Sequence, residues 1–360
     1  MAAKDALRLF DLTVRTALLV EGVKLGQQRE LNAVVAEAEK EFRKVMQRVK
    51  YEKLGQLTKA ELLNLLKAVR ASQSKVYGAY VKHFIKQLEE FMKEKTKLDA
   101  IILGTNSYDP EEAEPLSPTK AFNHIERTQK EKRTWPIFGL LFLPASAPLL
   151  WSRIRNTPIP ANGILPEKLI AGFATTAQVS IENEVRKAYA NNMQLQEAIE
   201  TIALSRSATA RRQGTAAVET TVGFVSETVY QAVASAIHTF YKWISVIDNA
   251  TTDICRSRNL RIFRYGVGPI PPAHYNCRST TVPLAPEVDD FKVPTLYTWL
   301  REQPREYLDD LVGSKAADAI ENGGITAANF NIATIVKPAA INGLSNKAKS
   351  ILTRRSDGLA

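Results

Sequence analysis

At 360 residues the chain is long enough for two or three domains and at least one well-buried core. Its 45% hydrophobic and 24% charged residues exclude a collagenous, wholly disordered or disulfide-dense protein, and two cysteines, Cys255 and Cys277, fit a reducing cytoplasm better than a secreted disulfide framework. The formal net charge is +10, and residues 1–97 hold most of it, with 20 lysines and arginines against 12 acids. Such a surplus favours a polyanion such as DNA, although its interleaving with acids also suits a solvated helical face. The first residues, Met-Ala-Ala-Lys-Asp, lack the apolar core of a signal peptide.

Residues 1–100 are predicted to form a basic arm of long amphipathic helices. Leu31, Val35, Ala38, Phe42, Val45 and Val49 recur at three- and four-residue steps, which places them on one helix face. A second helix is expected to open at a capping box, Thr58-Lys-Ala-Glu61, and its stripe continues through Leu62, Leu66, Val69, Val76, Tyr80, Phe84 and Leu88. The two make a helical hairpin. Residues 101–165 change character: 104–120 is acidic and proline-rich, the composition of a linker. The apolar run Trp135–Trp151 is shorter than the ~20 residues of a spanning helix and is interrupted by Pro136, Pro144 and Pro148, so a buried or partner-facing segment is predicted and no membrane span.

Helical signals return over 166–242. Pro166-Glu167 suits a first helical turn. Ile170, Phe173, Ala177, Ile181, Val185 and Tyr189 form one stripe and Leu195, Ile199 and Ile202 a second. A further helix is predicted from Val218 through Val222, Val225, Val229, Val233 and Ile237 to Trp243. Residues 243–286 then read as a small α+β module with β-like pieces at Trp243–Ile247, Arg261–Tyr265 and Ser279–Val282. Beyond it, 287–360 holds one expected helix, Leu296–Val312, a Gly323-Gly324 turn and a tail. The fold class is therefore α+β, mainly α, with an N-terminal helical hairpin, central helices and a small C-terminal α+β module.

The chemistry concentrates in that module. Asp248 followed by Thr251-Thr252 can build a side-chain-capped turn into a helix start. Gly268 and the prolines at 269, 271 and 272 restrict the loop that follows. His274, Asn276 and Arg278 supply donors that can tie this loop to a strand, and Cys255 and Cys277, 22 positions apart, can come together across the excursion.

The order Trp243, Asp248, Thr251, Cys255, Phe263, Pro271-Pro272, His274, Cys277 and Arg278 resembles the phage Mu F-like head-morphogenesis family. Its pattern is a Trp before an Asp-x-x-Thr turn, a Cys, an aromatic-containing strand, a proline pair and a His-x-x-Cys-Arg ending. Glu219 ahead of the module, and Tyr297-x-Trp299-Leu300-x-x-Gln303-Pro304 with Leu311-x-Gly313 behind it, extend the resemblance to about residues 215–325. Many relatives carry further cysteines where this chain has Thr252 and Ser279. The resemblance implies a minor head protein of a tailed bacteriophage. Its expected partners are the portal protein, a major capsid or scaffolding protein and, without sequence preference, genomic double-stranded DNA. Its expected place is the phage head at the portal vertex, reached from the host cytoplasm, and it can leave with the genome on ejection. Lys40, Arg43, Lys44, Arg48, Lys50 and Lys53 are the candidate phosphate contacts.

No catalytic residue, cofactor or metal is expected. Zinc at Cys255, His274 and Cys277 is weighed against the need of structural sites for four ligands in two short-spaced pairs; His238 is a fourth only if its helix packs beside the loop. A buried thiol pair, or a disulfide formed late in the assembled particle and contributing roughly 3 kcal/mol, is the preferred reading. An enzyme, either a nuclease or a transferase built on Asp248 and His274, is the alternative function; no phosphate loop, hydrolase triad or dinucleotide fingerprint accompanies those residues.

Overall fold

The apolar steps along the first hundred residues become two helices of 44 residues each, α1 (Ala3–Met46) and α2 (Lys59–Ile102). In this computed structural model the described residues are 3–103, 147–247, 251–284, 294–327 and 329–344, with side chains from residue 8 onward. The predicted linker 104–120, most of the apolar run, Asp248 and the end of the tail lie outside them. The capping box forms as predicted. Thr58 N donates to Glu61 Oε2 at 2.8 Å and Glu61 N to Thr58 Oγ1 at 3.2 Å, which satisfies two backbone donors that no helical carbonyl can reach.

The remaining elements are α3 (Ala147–Asn156), α4 (Pro166–Ala190), α5 (Leu195–Ala234), β1 (Phe240–Ile244), α6 (Asp253–Arg258), β2 (Ile262–Arg264), β3 (Thr280–Leu284), α7 (Leu296–Arg301), α8 (Arg305–Val312), α9 (Ser314–Glu321) and α10 (Ile332–Ile335). The architecture is mainly α with one small antiparallel sheet among the described residues, as the sequence predicts. Among the described residues no helix is long and apolar enough to cross a membrane. Of the apolar run, residues 147–151 are described; they open α3, where Leu150 and Trp151 are buried.

Two expectations are corrected. The stripes from Leu195 and from Val218 belong to one 40-residue helix, α5, which stops at Ala234 and not at Trp243. It stops because Phe240-Tyr-Lys-Trp-Ile244, aromatic and β-branched, becomes the central strand of the sheet β2-β1-β3. The predicted helix Leu296–Val312 is two helices, α7 and α8, parted at Pro304, whose ring and missing N–H end a helix.

The chain divides into two compact units, and α1, α2 and α5 each contribute to both. Unit 2 comprises 27–87 and 164–221. Its core joins Phe42, Val45, Leu62, Leu66, Ile181, Val185 and Ile199. Gln73 Nε2 fastens the hairpin by donating to Ala38 O at 2.9 Å, and Arg70 grips Glu182 through two bonds of 2.6 Å. Gly214 is needed inside α5, since a Cβ there would lie 2.7 Å from Leu31 Cδ2 and 2.8 Å from Phe173 Cζ. Unit 1 comprises 1–26, 88–163 and 222–360 and carries the sheet and the motif. In it Trp299 donates from Nε1 to Asp11 Oδ1 at 3.0 Å. The Arg15 guanidinium lies 4.1 Å from the Tyr307 ring centroid, so α7 and α8 pack on the N-terminal third of α1, around Asp11 and Arg15.

Candidate functional site

The sheet is the base of the site. β1 pairs antiparallel with both neighbours, Tyr241 opposite Phe263 on one side and Trp243 opposite Thr281 on the other. Alternation along β1 then sends Tyr241 and Trp243 to the same face, and both are fully buried. Tyr241 donates its hydroxyl to Pro269 O, which fixes the start of the proline loop. Gly268 is required there because a Cβ would lie 2.5 Å from the Tyr241 oxygen and 2.6 Å from Phe263 Cβ.

Trp243 packs against Cys255 and Cys277, with Phe263 and Ala273 at the margin. Its Nε1 donates to Ser245 Oγ at 2.9 Å, and Ser245 in turn donates to Cys255 O at 2.9 Å and meets Ser279 Oγ at 3.0 Å. One hydroxyl thereby joins β1, α6 and the residue that leads into β3. Thr251 Oγ1 donates to Val246 O, and α6 begins after Thr252, whose own side chain makes no cap bond. Thr251 thus ties the start of α6 back to Val246; Asp248, with which the predicted turn begins, lies outside the described residues.

The two cysteines packed on Trp243 converge with His274. The sulfurs of Cys255 and Cys277 are 3.7 Å apart, and both cysteines are free and buried. His274 Nε2 is 3.1 Å from Cys255 Sγ, while its Nδ1 lies 2.7 Å from Tyr275 O. The three ligand atoms all fall within 4.8 Å of one another, and His238 is not among them. The pair does not titrate evenly. Hydrogen bonds from the Cys255 thiol, from His274 and from the backbone N–H groups of Ser279 and Ala273 hold the Cys277 thiol well below its ordinary range. Cys255 is pushed up, first by donating to Cys277 and then by burial. His274 is raised, chiefly by its hydrogen bond to Cys277. Thr252 and Ser279 both lie against the Cys255 sulfur. Arg278 turns away and donates to Asn331 Oδ1 at 3.2 Å.

Sequence reasoning missed what adjoins this cluster. A cavity of about 140 Å³ is bordered by Cys277, Ser279, Lys24, Glu21 and Glu227, all of unit 1. Lys24 Nζ pairs with Glu21 at 2.5 Å and donates to Cys277 O at 3.2 Å. Glu227 accepts from Thr280 Oγ1 at 2.7 Å and from Thr281 Oγ1 at 3.3 Å. Burial pushes its carboxyl up from 4.5 to about 7, against the Thr280 hydrogen bond and the charge of Lys95, with Asp99 and Cys277 adding to the rise. Nothing in the sequence separates Glu227 from a solvated helix glutamate.

The raised value sets a sign. Between pH 4.5 and about 7 the folded chain holds a proton at Glu227 that the unfolded chain has released, so stability falls as pH rises through that window and levels off above it. Glu227→Gln is expected to remove that loss, a gain of up to about 3 kcal/mol at pH 8 and close to none at pH 4. Urea unfolding of both proteins at the two pH values measures it, and an equal difference at both would refute the assignment.

The six predicted phosphate contacts sit in unit 2. Lys40 and Lys44 are exposed and lie 3.4 Å from Glu37 and Glu41, pairs that contribute little in water. Arg43 is engaged by Glu39 at 3.1 Å and Glu200 at 2.8 Å. Arg48 and Lys50 are exposed, and Lys53 is half-buried beside the short 3₁₀ turn Leu54–Gln56. Set against protein-family models, curated proteins and solved structures, the chain matches none of them.

Proposed function

We propose that this chain is a structural minor head protein of a tailed bacteriophage that acts by binding, at the portal and the inner face of the capsid, during head morphogenesis. One observation carries the reading: the residues that resemble the Mu F-like family are spread over 243–278, yet Trp243, Cys255, Phe263 and Cys277 pack into one cluster, with His274 against it. Such a motif is the signature of a folded module. The enzyme alternative has less support, since both His274 nitrogens are engaged within the chain, one by a sulfur and one by a carbonyl oxygen.

Portal docking is tested by co-expressing the chain with the portal protein of the same phage and following co-elution by size exclusion at high salt. A stoichiometric complex is the expected result; a folded, monomeric chain that elutes apart from the portal counts against the reading. DNA contact is a separate part of it. Arg48 and Lys50, exposed just past the end of α1, are the foremost of the six nominees because Lys40, Arg43 and Lys44 have acidic neighbours. Affinity for duplex DNA is expected to fall steeply with salt, and replacing both residues by alanine should flatten the log–log slope by about 2. A flat response in the unmutated chain would remove DNA from the account.

A further inference from the structure

We propose that Cys255, His274 and Cys277 bind a zinc ion through two thiolates and one imidazole, a property independent of the head-protein reading. The linear spacing, one His-x-x-Cys and one distant Cys, gives no reason to expect this; the geometry does. With Zn–S of ~2.3 Å and tetrahedral angles, two thiolates on one zinc stand about 3.8 Å apart. The two sulfurs here are 3.7 Å apart, well beyond the ~2.05 Å of a disulfide and close to that tetrahedral edge. The sulfur–nitrogen edge to His274 is 3.1 Å, against about 3.6 Å in such a tetrahedron. His274, half-buried on a loop, has only to draw back by a few tenths of an ångström.

The imidazole is also prepared. Its Nδ1 lies 2.7 Å from Tyr275 O, so Nδ1 carries the proton and donates to that carbonyl. Nε2 faces the sulfurs, and its lone pair becomes available to a cation there once the proton it shares with them is released, as metal binding does. A metal-binding histidine is commonly oriented in this way, its second nitrogen held by a carbonyl or carboxylate.

Charge points the same way. Two thiolates buried against Trp243 would repel each other across 3.7 Å; a divalent cation between them makes the set neutral, and a neutral set tolerates a buried place. Three protein ligands leave one position of a tetrahedron for water. The Thr252 hydroxyl is placed to hold that water: it is buried, and beyond the Cys255 sulfur beside it the oxygen has no hydrogen-bond partner. Bound zinc would join the start of α6 to the proline loop, two segments that otherwise meet through Ser245 and the side chains around Trp243.

The full-length chain, produced without a histidine tag in zinc-supplemented medium and purified without chelator, is assayed for zinc by plasma mass spectrometry and for thiols after denaturation with chelator. About one zinc per chain and two titratable thiols are expected. Cys255→Ser and Cys277→Ser should each lower retained zinc at least about tenfold, and His274→Ala should weaken binding about 10- to 100-fold in chelator competition. Cobalt reconstitution of the unmutated chain should give a thiolate-to-cobalt charge-transfer band in the near ultraviolet and the strong visible bands of tetrahedral cobalt. That spectrum carries the test should a serine variant fail to fold. A chain that takes up no zinc from an equimolar solution, one whose two thiols are joined in a disulfide, or one whose zinc is indifferent to both serine variants overturns the proposal.

Discussion

Replacing Lys95 by methionine is expected to destabilise the folded chain by about 3–5 kcal/mol at pH 8. Lys95 and Asp99 sit four residues apart on α2, their charged atoms 2.5 Å from each other, with side chains 2% and 0% exposed. Neither charge has water to fall back on. Burial raises the Asp99 carboxyl from 3.8 to about 6 even with the ammonium beside it, so without Lys95 its ionised form would stand uncompensated. The neighbourhood deepens the effect, because Lys95 also lowers Glu227 and lies 5.0 Å from the Tyr230 ring centroid. The cost has a pH signature. Near pH 5 the folded Lys95→Met chain can protonate Asp99, and its loss relative to the parent should shrink; above pH 7 it should be greatest. Lys95→Met with Asp99→Leu should recover most of the loss, since apolar residues of similar volume replace buried ion pairs at little cost. Urea unfolding at pH 5 and pH 8 measures all three. A Lys95→Met cost below about 1 kcal/mol at pH 8 would mean that the pair is not closed to water.

That pair marks the boundary of what the sequence discloses. The hairpin is legible because its apolar residues keep to one face, as Leu31, Val35, Ala38 and Phe42 do, and because Thr58 and Glu61 announce a helix start. Pro166 at the head of α4 and the positive φ of Gly323 in the predicted turn are legible for the same reason: each residue's backbone preference matches its place. The break between α7 and α8 is marked by Pro304, but the helical spacing on either side masks it and reads as one helix. Other features depend on tertiary context alone. Residues 217–234 of α5 are buried almost all round, Thr220, Thr221, Ser226 and Glu227 included, so no one-sided stripe exists to follow. Lys95, Asp99 and Lys24 have the spacing of ordinary solvated i,i+3 and i,i+4 pairs, and only packing reveals that they are enclosed. At the site, the types and order of Trp243, Cys255, His274 and Cys277 are in the sequence. Their convergence within 4.8 Å for the three ligand atoms is not, because it depends on a 19-residue excursion returning to α6.

Trp243 is the residue on which that return depends, and its truncation separates packing from hydrogen bonding. The side chain is 0% exposed, fills the space beneath both sulfurs and carries the Arg258 guanidinium 5.2 Å from its ring centroid. Trp243→Ala opens a cavity between the central strand and the two cysteines, for which about 3–5 kcal/mol is expected. Trp243→Phe keeps most of the apolar contact and removes the Nε1 donor, so Ser245 Oγ loses one partner of three and about 1 kcal/mol is expected. Hydrogen exchange over 240–284 locates the change: protection of β1 should collapse in the alanine variant and survive in the phenylalanine variant. Zinc uptake should follow the same division. Packing that brings the sulfurs to tetrahedral spacing leaves the phenylalanine variant able to bind and the alanine variant not. If both variants retain zinc equally, the ligands are positioned by the proline loop and α6 without help from the ring. If both lose it equally, the Ser245 bridge from Trp243 to Cys255 governs the site and packing is secondary.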